Sequence, residues 1–159
     1  MTVETSIRPA DASVAGQCGV LDDDARSGML DRRGGEAWLV EHARLDDIGS
    51  WWDDSFVAMI DGVVVGFLVG RIDVDGRGRI FVVDRVYVAE QARGLGCGDD
   101  LLAAAIDHAL ACNCEYIEGT ALPGDRDTKN LYERAGVTAR SIIVSQRLSD
   151  RSSSEGASR

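Results

Sequence analysis

The sequence predicts an α/β (α+β) fold, in which a mixed, mostly antiparallel central sheet is flanked by helices. Two hairpin signals, Asp61-Gly62 and Asp75-Gly76, separate three valine-rich runs, and this pattern is typical of antiparallel strands. Further along, a glycine-rich turn leads from a strand pattern into a helix pattern, which is followed by strand, helix and strand. Because each such helix needs an apolar surface to cover, we expect the helices to pack on the sheet.

The N-terminal part predicts one strand and two helices. Residues 6–10 predict an edge strand that ends at a proline. Residues 11–33 carry apolar side chains every three or four positions, which indicates a helix that begins at an aspartate cap. Two glycines at 34–35 end that helix, and residues 36–46 predict a second, shorter one.

The middle of the chain predicts the antiparallel strands and the longest regular helix. Residues 56–60, 63–72 and 79–88 are rich in β-branched side chains and predict three successive strands. Residues 97–111 follow the glycine-rich turn and keep their apolar side chains on one helical face.

The C-terminal part predicts two strands around a short helix. Residues 116–122 predict a strand, and residues 128–134 predict a helix that Gly136 closes as a C-cap. Residues 141–148 predict the final strand. The polar, serine-rich residues 149–159 predict a disordered tail.

Size and charge restrict the possible functions. A chain of 159 residues predicts one domain, here residues 1–148. Its net charge of −10 argues against nucleic acid as a partner. No apolar run approaches the ~20 residues that span a bilayer, so we expect no membrane contact. Residues 1–5 lack the features of a secretory signal, which makes the cytoplasm the default expectation.

The spacing of the cysteines and histidines predicts no metal site. The sequence contains four cysteines: Cys18, Cys97, Cys112 and Cys114. One residue between Cys112 and Cys114 is too few for a zinc knuckle, and no second pair lies nearby. We therefore expect reduced thiols and no metal. His42 and His108 are expected to be surface or packing residues.

Acidic side chains are concentrated in residues 22–61. Eleven acidic and four basic residues give this segment a net charge of −7. A solvated acidic surface is one interpretation, and an electrostatic funnel for a cationic acceptor is the other.

The stretch from Val86 to Gly98 is the most specific motif. Glycines at 94, 96 and 98 permit positive φ and a close approach of the backbone to a ligand. Together with the first turn of the following helix, their N–H groups form an array that suits a phosphate or pyrophosphate, with Arg93 at its rim. A dinucleotide-binding fold contains the same order of strand, glycine-rich turn and helix. That fold also requires repeated parallel crossovers, which the flanking hairpins exclude.

Gln91-Ala92-Arg93-Gly94-Leu95-Gly96 resembles the acetyl-CoA pyrophosphate loop of the GNAT N-acetyltransferase superfamily, whose pattern is Gln/Arg-x-x-Gly-x-Gly/Ala. The resemblance covers roughly residues 55–148 and implies the GNAT fold, acetyl-CoA as co-substrate and acyltransferase activity. That fold usually ends with two strands after the last helix, whereas one is predicted here. Either the sixth strand is very short or a second subunit completes the sheet, so a homodimer is possible.

The resemblance also implies which residues bind the co-substrate. Two segments carry the match, namely the strand and loop from residue 86 to 98 and the short helix near residue 130. The implied cofactor-binding residues are Val86, Tyr87, Val88, Arg93, Gly94, Leu95, Gly96, Cys97, Gly98, Lys129 and Asn130. Asp99 and Asp100 depart from the basic or hydroxyl residues that are frequent at this point, and we expect both to point away from a pyrophosphate.

Two residues are expected to act in catalysis. By its place in Asn130-Leu131-Tyr132-Glu133-Arg134-Ala135-Gly136, Tyr132 resembles the tyrosine that acts as general acid toward the cofactor sulfur. Asp84 lies where many members carry an acidic base, and period-2 alternation would give it the face of Val86 and Val88. Burial would raise the pKa of Asp84 and improve it as a base that acts through a bridging water, whereas an ion pair with Arg85 or Arg79 is the structural alternative.

The sequence does not decide which class of molecule accepts the acetyl group. We expect a primary amine of a small cationic molecule, such as a polyamine, an aminoglycoside-like antibiotic or a related metabolite. A protein Lys or N-terminal amine, and a non-catalytic acyl-CoA-binding module, are the alternatives.

Overall fold

The structure, a computed structural model, describes residues 3–151. Five strands form one sheet in the order β1-β2-β3-β4-β5, with antiparallel pairs except for the parallel pair β4–β5. The strands are β1 Thr5–Pro9, β2 Phe56–Ile60, β3 Val63–Asp75, β4 Gly78–Val88 and β5 Tyr116–Gly119. The predicted mixed, mostly antiparallel sheet is therefore confirmed.

Four α-helices accompany the sheet in the described part of the chain: α1 Ala15–Ser27, α2 Gly35–Glu41, α3 Cys97–Ala111 and α4 Arg126–Arg134. Single 3₁₀ turns precede α1 at Ala12–Val14 and lie between the helices at Met29–Asp31, Leu45–Asp47 and Glu90–Ala92. The helix predicted over 11–33 is shorter than expected because Gly28 ends α1 and the chain continues as a 3₁₀ turn. The helix predicted over 36–46 likewise ends at Glu41.

Two apolar cores lie on opposite faces of the sheet. On one face, α3 buries its apolar stripe against β2, β3 and β4, with Leu68, Phe81 and Leu101 fully buried. On the other face, α1 and the turns that follow it cover Val57 and Phe67. Each central strand is therefore buried on both sides. This explains why apolar and polar side chains alternate only weakly along the valine-rich runs.

The final strand predicted over 141–148 does not form. Residues 141–147 carry no strand hydrogen bonds, and Ile142, Ile143 and Val144 are 84%, 92% and 88% exposed. Ion pairs hold this extended segment instead, from Arg140 to Glu118 on β5 and from Arg147 to Glu36 on α2. Strand propensity alone does not make a strand, because a strand forms only where its backbone pairs with another strand, and this segment does not pair with the free edge of β5.

The remaining boundaries differ modestly. β5 ends at Gly119, although the sequence predicted a strand to 122. The tail predicted as disordered over 149–159 is helical at residues 149–151, where the N–H groups of Asp150 and Arg151 donate to the carbonyls of Arg147 and Leu148. Residues 152–159 lie outside the described part. Within residues 3–151, no helix is both long and apolar enough to cross a bilayer.

Candidate active site

Strand β4 is paired along only half of its length on its β5 side. The parallel ladder runs from the Ile80–Tyr116 pair to the Val83–Gly119 pair and stops there. Residues 84–88 continue β4 without a partner on that side among the described residues. β5 ends at Gly119, and a cleft of about 560 Å³ lies beside the unpaired part of β4, lined also by α1, α2, the glycine loop and α4.

The backbone direction shows which groups face this cleft. Ala89 N–H donates to the Val65 carbonyl on β3 at 2.7 Å. Because successive residues of a strand alternate the direction of their backbone groups, the groups of Val86 and Val88 point away from β3, into the cleft. The backbone groups of Tyr87 are used by β3 instead. The open edge of β4 thus offers donors and acceptors to an amide-containing ligand.

The glycine loop forms the adjoining wall of the cleft. Gly94 and Gly96 have φ of 86° and 82°, a conformation in which other L-residues are strained. Gly96 caps α3, and Asp100 N–H is the first helical donor, to the Gly96 carbonyl at 3.0 Å. The N–H groups of residues 94–99 donate to no acceptor within residues 3–151. Unused donors at a helix N-terminus form a site for an anion.

Arg93 folds back over the strand instead of extending from the rim. Its Nε donates to the Val88 carbonyl at 3.2 Å, and its guanidinium lies 5.7 Å from the centre of the Tyr87 ring. Its own N–H donates to Glu90, so it does not join the free N–H groups of the loop. The guanidinium nevertheless lines the cleft and supplies a positive charge next to them.

Helix α4 lies against the start of α3 and forms a further wall of the cleft. Asn130 and Leu131 line the cleft, and Leu131 lies close to Gly98, where a Cβ would touch it at 3.6 Å. Lys129 does not line the cleft, and its ammonium lies 4.0 Å from Glu133 on the exposed side of the helix. Leu95 is 45% exposed and also lies outside the cleft wall.

Tyr132 is buried between α4 and the sheet, with its hydroxyl against Gly119. A Cβ at Gly119 would overlap this hydroxyl, so the glycine makes room for it at the point where β4 and β5 separate. Burial raises the pKa of Tyr132 well above its usual value, and Asp125 adds to the shift. The side chain is not part of the cleft wall, and its hydroxyl lies beside Gly119, where the pairing of β4 with β5 ends. No local sequence pattern predicts this role for Gly119.

A β-bulge in β4 decides the direction of the Asp84 side chain. Arg85 pairs with Val69 and Val83 pairs with Gly70, which leaves Asp84 as the extra residue between them. An extra residue reverses the alternation of side chains for the rest of the strand. The bulge was not visible in the sequence because its cause is the pairing with β3.

The expectation that Asp84 shares a face with Val86 and Val88 is therefore wrong. These valines pack on the α3 side of the sheet. The Asp84 carboxylate, 21% exposed, lies on the α2 side and does not line the cleft. It is surrounded by basic side chains, namely Arg85 at 2.7 Å, Arg71 at 3.3 Å and His42 at 4.0 Å.

Arg85 is the centre of a buried polar network, of which the sequence predicts only the ion pair with Asp84, as the structural alternative to the role of a base. Its guanidinium bridges the Asp84 carboxylate and that of Asp22 on α1, at 2.7 and 3.0 Å. It also lies 5.3 Å from the Trp38 ring on α2. Asp22 is 1% exposed and accepts the Leu45 N–H as well. The network connects α1 and α2 to β4. The alternation of side chains along β4 does not predict the contacts of Arg85 with Asp22 and Trp38.

His42 extends this network at the end of α2. Its ring stacks on Trp38 with centroids 4.2 Å apart, and its Nδ1 lies 2.9 Å from the Trp38 carbonyl. Because a carbonyl can only accept, Nδ1 carries the hydrogen and Nε2 faces Asp84. The expected packing role of His42 is confirmed, and the contact with Asp84 is additional.

Tyr87 connects the cleft to α1. Its hydroxyl donates to Asp24 at 2.6 Å, and its ring packs near Phe67. Burial, followed by the hydrogen bond to this carboxylate, raises the pKa of Tyr87 to about 12. The Tyr87 side chain, with its hydroxyl protonated, therefore separates the open edge of β4 from α1.

Charges around the cleft are balanced. Of the eleven acidic residues in 22–61, all of which are described, only Asp22 lines the cleft, and Arg85 neutralises it. Asp99 also lines the cleft, contrary to expectation, and pairs with Arg134 at 2.9 Å. The charged lining residues are Asp22, Asp99, Asp125, Asp127, Arg32, Arg85, Arg93 and Arg134. Most of the acidic segment is therefore a surface feature.

Solved structures share this architecture. An aminoglycoside N-acetyltransferase, AAC(6′)-Iy, in complex with a bisubstrate analog aligns with a TM-score of 0.68 and 18% identity over 91% of this chain and 97% of that chain. The diaminobutyrate acetyltransferase EctA of Paenibacillus lautus, bound to L-2,4-diaminobutyric acid and coenzyme A, aligns with a TM-score of 0.60 and 19% identity, covering 84% and 75% of the two chains. At these identities the likeness shows the fold.

Sequence comparison identifies the family. An L-2,4-diaminobutyric acid acetyltransferase of Shouchella clausii is 28% identical over 85 residues, or 53% of this chain. The chain spans about half the length of this curated relative, 47%. Residues 23–137 match the family model described as Acetyltransferase (GNAT) family, and this match includes the glycine loop, the open strand edge and α4. The chain belongs to the GNAT acetyltransferase family.

Proposed function

We propose that this protein is an acetyl-CoA-dependent N-acetyltransferase that acetylates a primary amine of a small cationic molecule. One observation carries the proposal, namely the free edge of β4 next to the unused N–H groups of residues 94–99. An amide-bearing arm and a pyrophosphate on one ligand match these two surfaces. Coenzyme A combines both groups, and its acetyl thioester supplies the activated acyl group.

The residues present fit this co-substrate. The loop from Gly94 to Gly98 would hold the pyrophosphate through backbone N–H groups, with Arg93 as the nearby positive charge. Val86 and Val88 would pair their backbone with the pantetheine amides. Arg93 would have to release the Val88 carbonyl for this pairing. Asn130 is placed to contact the same arm from α4.

Three groups are proposed to act on the reacting atoms. The Val88 N–H would donate to the thioester carbonyl oxygen, where negative charge develops as the amine nitrogen forms its bond to carbon. Tyr132 would give its proton to the departing sulfur, and its raised pKa keeps that proton in place near neutral pH. Asp84 would take the proton of the amine.

The contacts of Asp84 restrict how it can act as a base. Its Oδ2 accepts from Arg85, and its Oδ1 faces Arg71 and His42. Since the carboxylate does not line the cleft, a bridging water is the route that these contacts leave open. An Asp84→Asn variant separates the two roles, because loss of the base lowers kcat and changes its pH profile, whereas loss of the ion pair lowers thermal stability.

A small cationic acceptor is favoured by the relatives and by the cleft. The named substrates of the relatives, an aminoglycoside-like molecule and a diamino acid, carry primary amines. At the α1–α2 end, the cleft is lined by Met29, Trp38 and Asp22. Arg85 neutralises Asp22, and the Trp38 ring already contacts His42, Arg26 and Arg85, so we place the preference in the shape of the cleft rather than in net charge or in a free aromatic face.

A homodimer is proposed as the assembly. The outer edge of β5 has no strand partner within residues 3–151, and the extended residues 141–147 expose three consecutive β-branched side chains. Such an edge and such a segment complement each other when two copies meet. Ile143→Lys should then give a monomer in light scattering, whereas an unchanged mass distribution would argue against this pairing. A cytoplasmic location stays a prediction.

The deciding experiment is a calorimetric titration with acetyl-CoA, followed by a thiol-release assay with polyamines, aminoglycosides, diamino acids and peptides. Binding with turnover on one cationic small-molecule class supports the proposal. Turnover only on peptides would favour a protein acceptor, and binding without turnover on any amine would favour a non-catalytic module. Absence of binding would overturn the assignment of the cleft.

A further inference from the structure

Three side chains with metal-binding atoms meet at the C-terminal end of α3, away from the cleft. His108 and Cys112 lie one helical turn apart on α3, and Asp54 comes from the segment before β2. His108 Nε2 is 2.7 Å from Asp54 Oδ1, and the Cys112 Sγ is 3.7 Å from the same nitrogen. All three ligand atoms lie within 4.8 Å of one another, and each side chain is partly exposed.

Convergence on a single nitrogen distinguishes this cluster from a nucleophilic relay. In a Cys–His–Asp relay, the acid and the nucleophile contact opposite nitrogens of the imidazole, so that a proton crosses the ring. Here, both the carboxylate and the thiol face Nε2. Such a relay is therefore excluded by the geometry, and the three atoms instead surround a common point.

The spacing of these atoms fits a zinc-class ion. Zinc bonds of roughly 2.0–2.3 Å in a tetrahedron place neighbouring ligand atoms about 3.3–3.7 Å apart. The distance from His108 Nε2 to Cys112 Sγ already has this length, and the hydrogen bond to Asp54 must lengthen by less than about 1 Å. A thiolate, an imidazole and a carboxylate are the donor types that zinc takes.

The surroundings hold the ligands in place. The His108 ring stands edge-on to Phe56 and Phe81 of the α3-side core, so its orientation is limited by packing. Arg79 is the nearby cation, and its Nε donates to the Cys112 carbonyl at 2.9 Å. A carboxylate and a thiolate together outweigh that single positive charge.

We propose that Asp54, His108 and Cys112 bind one divalent zinc-class ion, with water in the remaining position. Fourteen residues of α3 separate Cys112 from Gly98, which is about 21 Å at 1.5 Å per residue. The ion is thus remote from the glycine loop and has a structural role. It joins the end of α3 to the segment before β2, so its binding stabilises the folded chain.

The test uses the full chain, reduced and treated with a chelator. Titration with Zn²⁺ should show one saturating equivalent and a rise in Tm, and Co²⁺ should produce a thiolate charge-transfer absorption. Cys112→Ser, His108→Gln and Asp54→Asn should each weaken Zn²⁺ binding by at least the ~10- to 100-fold that loss of a supporting partner costs. Asn at position 54 tolerates the φ of 56° found there, so this variant should fold.

A matched control lies on the same helix. Asp107 is exposed next to His108, and Asp107→Asn should leave Zn²⁺ affinity unchanged. Cys112→Ser retains three thiols, so persistence of the Co²⁺ charge-transfer band in this variant would overturn the proposal. Absence of stoichiometric binding to the wild-type chain would overturn it as well. Tm measured without metal shows whether each variant folds.

Discussion

The two ends of helix α3 differ in how they are built. The N-terminal end, here the cleft end, consists of backbone N–H groups presented by a loop with glycines at alternate positions. The C-terminal end, here the far end, consists of side chains, one of which comes from a segment more than 50 residues earlier. A backbone site is local and visible in the sequence, whereas a side-chain cluster depends on the packing of distant segments.

The largest expected effect comes from a charge placed at the cleft end. Gly96→Asp should weaken acetyl-CoA binding by roughly 100-fold or more, because a like charge about 4 Å away costs around 4 kcal/mol in a partly buried site. Aspartate tolerates positive φ better than most residues, so the fold should persist. Calorimetry measures the affinity, and circular dichroism monitors the fold.

His108→Gln at the far end is the matched control for this variant. Its acetyl-CoA affinity should equal that of the wild type, since the substitution leaves the glycine loop untouched. Equal affinity of Gly96→Asp and wild type would contradict the loop assignment, and a loss of affinity in His108→Gln would remove the contrast between the two ends.

The next effect concerns proton transfer at the cleft end. Tyr132→Phe should lower kcat by about 100-fold, the scale of general acid catalysis, while acetyl-CoA affinity stays close to that of the wild type. Tyr116→Phe on the exposed side of β5 is the control and should retain full turnover. Unchanged kcat in the Tyr132 variant would assign that side chain to packing.

Gly119→Ala tests the same hydroxyl through its neighbour. The new methyl group would overlap the Tyr132 hydroxyl and displace it, so we expect a smaller loss of kcat and a destabilisation of about 1–3 kcal/mol. Gly124→Ala has open space around its Cβ and should leave both quantities unchanged. Equal kcat and equal stability in the two alanine variants would contradict the close contact between Gly119 and the Tyr132 hydroxyl.

The pH dependence of turnover should show little effect of Tyr132. Burial raises the pKa of Tyr132 above its usual value of 10, so the hydroxyl remains protonated from neutral pH to at least about pH 10. We expect no descending limb of kcat from this group over that range. A descending limb that disappears in Tyr132→Phe would contradict the raised pKa.

The smallest effect should be that of salt on the acceptor. Because ion pairs balance the charges that line the cleft, KM for a cationic acceptor should change only slightly with ionic strength. Steady-state kinetics at low and high salt measures this. A steep rise of KM with salt would instead support recruitment by the acidic segment 22–61.

Local patterns predicted most of the fold and half of the site. Hairpin signals located β2, β3 and β4, and the glycine spacing located the start of α3. The predicted strand over 141–148 failed because its side chains favour a strand but no neighbouring strand pairs with it. Period-2 alternation predicted the wrong face for Asp84 because a bulge shifts the strand there. The bulge depends on the pairing of β4 with β3, which the sequence of β4 alone does not determine.

Local sequence patterns are sufficient to predict the sheet, the helix order and the glycine loop, because turn geometry and backbone donors depend on residues close together in the chain. Which side chains meet follows instead from the packing of the folded chain. The Asp22–Arg85 pair, the contact of Tyr132 with Gly119 and the Asp54–His108–Cys112 cluster each join residues that are distant in sequence. Such contacts arise from packing across the sheet, and no local pattern carries that information.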